Sequence, residues 1–298
     1  MTTLDVDRMT AAVRGAGDPD DDRRRRDEAD RVLRRVTTGS LARRLDAIGL
    51  PAGGEWCVRR VATTLAYDED TSSARLEADW VDALIAALEA SLGAMDGRSP
   101  DVVHYRQRDD AVVDLVASLA AGRAERRWAW HQLGLLGVGA ADDRQTVLTV
   151  LGRHPHLALA AVRAAVSGHR AAGLHRLLGS DGWLAVARLA AHACGTTGVV
   201  ETAAASTFPS RRGRDTRDTG PAGAAEPAPS SLLRALVDSG FRPDRRTAVA
   251  WAALALLDAD PTSLSRADAP QRLHGASAAT DKATVPRKPR LADAKNLR

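Results

Sequence analysis

The chain has 298 residues, which is enough for one large domain or two of ordinary size. Its composition is 44% hydrophobic but only 3% aromatic, and alanine and leucine supply most of the apolar residues, so helices are favoured over sheets. The 42 basic and 38 acidic residues leave a net charge of +4, an excess too small to imply nucleic-acid binding by itself.

Cysteine usage and hydropathy indicate the compartment. The two cysteines, Cys57 and Cys194, are far apart in the sequence, so no disulfide framework is indicated and a reducing environment fits. The first residues include several acids and lack the apolar core of a signal peptide. The most apolar run, residues 248–257, is about half as long as a membrane span. We therefore expect a soluble, cytoplasmic protein without a transmembrane segment.

The first part of the chain is predicted to be an arm followed by an α+β unit. Residues 1–26 are polar and predict a disordered or frayed arm, although the aspartates and arginines at its end also fit a solvated helix start. Residues 27–136 predict the α+β unit. Its best strand is Trp56–Tyr67, which is rich in β-branched residues and places Val61 and Leu65 on one face of a period-2 pattern.

The rest of this unit alternates helix and strand. Apolar residues at helical spacing predict helices over residues 27–36 and 81–92. A short apolar run predicts a second strand over Val102–Tyr105, and residues 112–119 predict a further helix. These strands are too few for a doubly wound sheet, so a small α+β element is expected.

Residues 137–195 predict a helical bundle in which glycines separate short helices. Two of these helices are predicted over residues 170–179 and 182–194. Short helical hairpins are typical of an α-solenoid, but no repeated motif can be aligned. An irregular bundle is therefore favoured, with short helical repeats as the alternative.

Three segments complete the chain. Residues 196–229 are rich in proline, glycine, serine and threonine and predict a flexible linker. Residues 230–258 predict a helical hairpin that must bury its apolar stripe on the main body or on a partner. Residues 259–298 predict a disordered basic tail.

No catalytic motif is recognised in the sequence. It has no Gly-x-Ser-x-Gly elbow, and the run GLLGVGAADDR lacks the Gly-Lys-Ser/Thr end of a phosphate-binding loop. Histidines crowd the helical region, but no pair has the i, i+4 spacing of a helical zinc site, so surface and capping roles are favoured over a metal site. The residues considered are His154, His156, His169, His175, His192 and Cys194. We expect no catalytic, cofactor-binding or metal-ligating residues and no cofactor.

The candidate interaction residues lie in one short segment and comprise Arg123, Arg126, Arg127, Trp128 and Trp130. The two tryptophans are two positions apart, so a helix would point them to nearly opposite sides. We therefore expect one tryptophan in the core and the other at an interface, where tryptophan is enriched. The arginines could contact phosphates, which keeps nucleic acid open as an alternative partner.

Four stretches of sequence carry a family resemblance: VRRVATTLAY, LEADWVDALIAALEASL, VVHYRQRDDAVVDLVASLAAGRA and RRWAW. The run that contains them, about Arg59–Leu136, resembles the N-terminal part of tape-measure-type proteins encoded with contractile injection systems, the phage-tail-like particles. The resemblance implies a non-enzymatic assembly or accessory protein that contacts other particle components.

The sequence therefore predicts a mainly α fold with a small α+β element near the N-terminus, arranged as an irregular helical bundle with a disordered linker and disordered tails. The expected function is that of a structural, assembly or accessory component of a contractile injection system. An Arg-rich, nucleic-acid-binding regulatory module is the alternative, and a metal-binding enzyme built on the His-rich helices is the second alternative. The expected partners are other proteins of a tail-like particle, without a membrane partner and with nucleic acid less favoured.

Overall fold

The fold is mainly helical, with a small antiparallel sheet near the N-terminus, as the sequence predicts. The chain divides into two compact units. The first unit contains Met1–Arg108 and Glu125–Gly134, and the second contains Asp109–Ala124 and Leu135–Arg298. The computed structural model describes residues 6, 9–12, 19–47, 53–68, 70–93, 101–137, 139, 142–167, 171–206 and 230–283.

Three of the described helices of the first unit pack together with a π-helical turn. They are α1 (Pro19–Arg35), the π-helical turn Val36–Ser40, α2 (Leu41–Ala47) and α3 (Ser73–Gly93). The arm predicted over residues 1–26 is helical from Pro19 onward, in line with the helix start that its aspartates and arginines also fit, because proline and the acids that follow it are favourable at a helix N-terminus. The other described residues of that arm, 6 and 9–12, have no regular structure, and the remainder lies outside the described residues.

These helices pack through an aliphatic cluster. The cluster consists of Val32, Val36, Leu41, Leu45, Leu76, Val81 and Ile85, with Trp80 packed against it and partly buried. Polar contacts hold the same elements at the surface, where Glu77 of α3 accepts hydrogen bonds from Ser40 and from Arg35 Nε, the latter at 2.9 Å. These hydrogen bonds, with the Ser40 bond contributing most, lower the pKa of Glu77.

Among the described residues, the sheet of the first unit has two short antiparallel strands, β1 (Glu55–Val58) and β2 (Val102–Tyr105). Trp56 pairs with His104 and Cys57 pairs with Val103. The predicted strand over Trp56–Tyr67 is therefore correct only as far as Val58. The ladder stops there because β2 has only four residues, and the chain bends at Arg59.

A short helix, α5 (Arg127–Gln132), belongs to the first unit. In the sequence it follows α4 (Arg108–Ala120), which belongs to the second unit from Asp109 onward. The helices of the second unit are α4 (Arg108–Ala120, from Asp109 onward), α6 (Asp143–Arg153), α7 (Ala158–Ala165), α8 (Ala171–Ala193), α9 (Val199–Ala205), α10 (Ser231–Val237), α11 (Arg245–Ala259) and α12 (Ala269–Ala283). No described helix of either unit combines the length and apolar composition needed to cross a membrane.

The core of the second unit forms around α11, which is buried from Thr247 through Ala255. Trp251 of α11 and Trp183 of α8 are fully buried, and their rings meet edge to face at 5.8 Å. Helix α10 also packs on α11. The predicted hairpin over residues 230–258 therefore buries its apolar residues inside this unit.

Glycines shape two helix contacts in the second unit. Gly179 adopts φ 60° and ψ −178° and breaks α8, at the position where the sequence separates two predicted helices. Gly173 permits α8 to approach the C-terminal end of α4, since a Cβ atom there would overlap the carbonyl oxygen of Ala120.

Two predictions of disorder are corrected within the described residues. The predicted linker begins later than residue 196, because residues 199–205 form α9, which packs on α8. The predicted tail contains α12, which packs on α11 and buries Leu273 and Thr280 completely. The linker residues 207–229 and the tail residues 284–298 lie outside the described residues.

Candidate interaction site

Helix α5 is fixed on the sheet of the first unit by Trp130. This tryptophan is fully buried, and its indole Nε1 donates a hydrogen bond to the hydroxyl oxygen of Tyr105 in β2 at 3.1 Å. On the same side, the thiol of Cys57 in β1 lies 3.9 Å from the carbonyl oxygen of Ala129. Burial, and then the charge of Glu55, raises the pKa of Cys57 to about 11, so the thiol is protonated and serves packing.

Two side-chain hydrogen bonds hold the C-terminal end of α5. Gln132 Nε2 donates to the carbonyl oxygen of Val58 at 3.1 Å, and Arg108 Nη2 donates to the carbonyl oxygen of Leu133 at 2.6 Å. Gly134 follows with a positive φ of 67° and ends the helix. The middle and the C-terminal end of this short helix are therefore anchored.

Trp128 differs from Trp130 in the way expected of two residues on opposite sides of a helix. It is half-buried, and its indole nitrogen has no hydrogen-bond partner among the described residues. Since Trp130 has no exposed surface, it cannot contact a partner protein, and the candidate interaction role narrows to Trp128.

The candidate arginines are divided between the two units. Arg123 is exposed and belongs to the second unit, where its backbone N–H donates to the carbonyl oxygen of Ser118 and closes the C-terminal cap of α4. Arg126 is exposed and Arg127 is half-buried, and both stand at the start of α5 in the first unit. The candidate site in the first unit thus contains Arg126, Arg127 and Trp128.

The opposite face of the sheet carries an aromatic pair that sequence reasoning missed. The rings of Trp56 and His104 stack at 4.0 Å with 19° between their planes, because the strand register places them opposite each other. Gly54 adopts a positive φ of 90°, and a Cβ atom there would overlap Tyr105 and His104. Only the register reveals this pair, and two strands separated by about 40 residues give no register signal in the sequence.

Three tryptophans of the first unit therefore share one property. Trp56, Trp80 and Trp128 are each half-buried, and within the described part of the chain none of their indole nitrogens has a hydrogen-bond partner. Their rings are held by packing and present part of an apolar surface to solvent. Partly exposed indole rings are frequent interface anchors, and of these three only Trp128 directly follows the candidate residues Arg126 and Arg127 in the sequence.

The described histidines of the second unit are distributed over separate local contacts. In the described part of the chain, no three His, Cys, Asp or Glu side chains come close enough to hold a metal ion. The rings of His154 and His156 meet edge to face at 6.3 Å, and His156 Nε2 lies 3.5 Å from a carboxylate oxygen of Asp109. His169 lies outside the described residues.

His175 belongs to an aromatic cluster in the second unit. Its Nδ1 accepts a hydrogen bond from Trp183 Nε1 at 3.1 Å, and its ring packs on Phe241 at 3.4 Å. Desolvation lowers the pKa of His175, against the smaller opposing effect of the Asp244 charge. Because Nδ1 accepts this bond, the ring is neutral, and protonation there would remove the acceptor.

A groove of about 440 Å³ crosses the surface of the second unit between α8 and α9. Arg188 Nε and Glu201 Oε1 form an ion pair in it at 3.0 Å, and the exposed His192 lies beside them. The buried Thr196 also lines it, and its hydroxyl has no partner among the described residues. Since the two charges neutralise each other, the groove indicates no ligand class.

Comparisons with known proteins add no relative: no protein-family model, no curated protein and no solved structure matches this chain.

Proposed function

We propose that this chain is a non-enzymatic assembly or accessory component of a contractile injection system, that it resides in the cytoplasm, and that it acts through contacts with other proteins of the tail-like particle. The observation that carries the contact role is Trp128, a half-buried indole on a short anchored helix beside two arginines. The particle assignment rests on the resemblance of the sequence run from Arg59 to Leu136.

Trp128 is suited to be a binding anchor because little conformational entropy would be lost when a partner covers it. Trp130 and Gln132 fix α5, so a partner that covers Trp128 orders little additional chain. Tryptophan and arginine are the residues most enriched among binding hot spots, and here Arg126 and Arg127 directly precede the indole. An accessory role is favoured over a length ruler, because the described helices pack into compact units and form no long rod.

The gene neighbourhood gives the first test. Genes for a sheath, a tube, a baseplate and an AAA-type ATPase beside this one are expected, and their absence would remove the particle assignment. The second test is co-sedimentation, in which the tagged chain is expressed with its neighbouring genes and the particles are pelleted. We expect the chain in the particle fraction together with sheath and tube proteins.

A matched pair of variants tests the surface itself. Trp128→Ala is expected to reduce the particle-bound fraction strongly, whereas Trp80→Ala, which removes another half-buried indole of the same unit, should leave it near the wild-type level. An equal loss from both variants would show a general stability effect and refute the Trp128 contact. Retention on DNA that falls steeply with salt would instead support the nucleic-acid alternative.

A further inference from the structure

Residues 60–68 follow β1 and have a strand-forming sequence, yet they belong to no sheet in the described part of the chain. After the bend at Arg59 the backbone runs through Asp68 without a helix, turn or bend. No backbone hydrogen bond among the described residues involves residues 60–67. Such a run of unpaired N–H and C=O groups is what an edge strand offers to another chain.

The side chains of this segment are also open to a partner. Val61 and Leu65 are half-buried and the other side chains are exposed. Tyr67, at 39% exposure, is one of the two most exposed large hydrophobic residues among those described. In an extended strand Val61, Leu65 and Tyr67 share one face, so pairing would cover an apolar stripe as well as the backbone.

The sequence of the segment is complementary to itself in the antiparallel direction. When two copies are paired with Thr64 at the centre, Val61 lies opposite Tyr67 of the second copy, an aromatic and β-branched pair that stabilises sheets. In the same register Arg60 lies opposite Asp68 of the second copy, at both ends of the pair. Opposite charges therefore meet where the apolar residues end, and no like charges face each other from residue 60 to residue 68.

We propose that residues 60–68 form an intermolecular β-strand and that two copies of this chain associate through it as an antiparallel pair centred on Thr64. Because Arg60 and Asp68 of one copy match Asp68 and Arg60 of another, the charges favour pairing with a second copy of this chain over pairing with an unrelated strand. The proposal stands apart from the particle assignment, since it uses only the segment after β1. It also explains why the strand signal of the sequence continues for nine residues beyond the strand that forms within one chain.

The expected dimer is weak and concentration-dependent. Nine residues a copy bury less surface than the roughly 800 Å² per partner of a standard stable interface. Sedimentation equilibrium of the full chain at concentrations from about 1 to 500 μM should therefore span the monomer–dimer transition. A chain that stays monomeric over that range would overturn the proposal.

A charge exchange tests the register. Arg60→Asp and Asp68→Arg each place two like-charged pairs in the dimer, so each variant alone should dimerise about tenfold more weakly than the wild type. An equimolar mixture of the two variants restores opposite charges at both ends, and a heterodimer of near wild-type affinity should form. Neither result is expected if the charges act only within one chain.

A backbone variant tests strand pairing without relying on charge. The double substitution Thr63→Pro with Thr64→Pro removes an N–H donor in either hydrogen-bonding phase of the strand. Because both side chains are exposed and their backbone is unpaired within the chain, helical circular dichroism should stay unchanged. We expect this variant to be monomeric. Dimerisation of the proline variant, or single charge variants that dimerise like the wild type, would each refute the proposal.

Discussion

Replacing Trp130 by alanine should be among the most damaging single changes in the first unit. Burying a tryptophan side chain removes about 150–250 Å² of its surface from water. At about 25 cal/mol per Å², this burial stabilises the fold by about 4–6 kcal/mol. Alanine recovers part of that area, so Trp130→Ala should lower the free energy of opening of this unit by about 3–5 kcal/mol. The hydroxyl of Tyr105 also loses its donor, which adds a further cost of about 1 kcal/mol.

Hydrogen–deuterium exchange measured on peptides that cover β1 and β2 reports this opening locally. We expect a large loss of protection in Trp130→Ala and a smaller one in Trp130→Phe, which keeps an aromatic ring in the core. Trp128→Ala should cost only about 1–2 kcal/mol, because part of its ring already contacts solvent. Equal losses for Trp128→Ala and Trp130→Ala would refute the assignment of one indole to the core and the other to the surface.

Two further predictions concern the second unit. Gly173→Ala should destabilise this unit by about 1–3 kcal/mol in a denaturation assay, because the added methyl group overlaps the backbone of Ala120. Gly275→Ala has open space around it and should stabilise α12 by about 0.5–1 kcal/mol in the same assay. If both alanines have the same effect, the close approach of α8 and α4 is refuted. The pKa of His175 is lowered on folding, so the unfolded state binds a proton at a higher pH than the folded state does. The contribution of His175 to the free energy of unfolding should therefore be fully present above the ordinary histidine pKa of 6.5 and should fall as the pH drops below it. Thermal melts at successive pH values should show this loss of stability. The variant His175→Phe, which removes the acceptor of the Trp183 hydrogen bond, should not show it. An equal pH dependence of the melting temperature in that variant would contradict the role of His175.

The sequence predicted the helical class of the fold because apolar spacing is a local property. The break between residues 170–179 and 182–194, for example, is visible as a glycine-rich interruption, and the structure kinks at Gly179. The sequence does not predict helix α12, because small and polar residues such as Ser277 and Thr280 occupy most of its buried face. Only its packing on α11, which no local pattern reveals, makes such a segment a helix.

The candidate site was predicted only in part, for a related reason. Helical geometry requires Trp128 and Trp130 to point apart, and this much follows from their spacing. Which of them is buried depends on Tyr105, whose hydroxyl accepts the indole hydrogen bond from a strand 25 residues earlier in the chain. The stack of Trp56 on His104 likewise depends on register and therefore on tertiary structure.

The strand prediction over Trp56–Tyr67 is informative where it disagrees with the structure. In natural sequences, local preference and the global fold usually agree, so a strong strand preference in a segment without a partner strand needs a cause. Arg60 and Asp68 enclose seven uncharged residues that are largely apolar or β-branched, so opposite charges stand at the two ends of the segment. An exposed strand sequence is also an aggregation hazard unless its ends carry charges. Opposite charges at the two ends meet that need and also specify one antiparallel register, which is why we attribute the unused strand preference to a second copy of the chain.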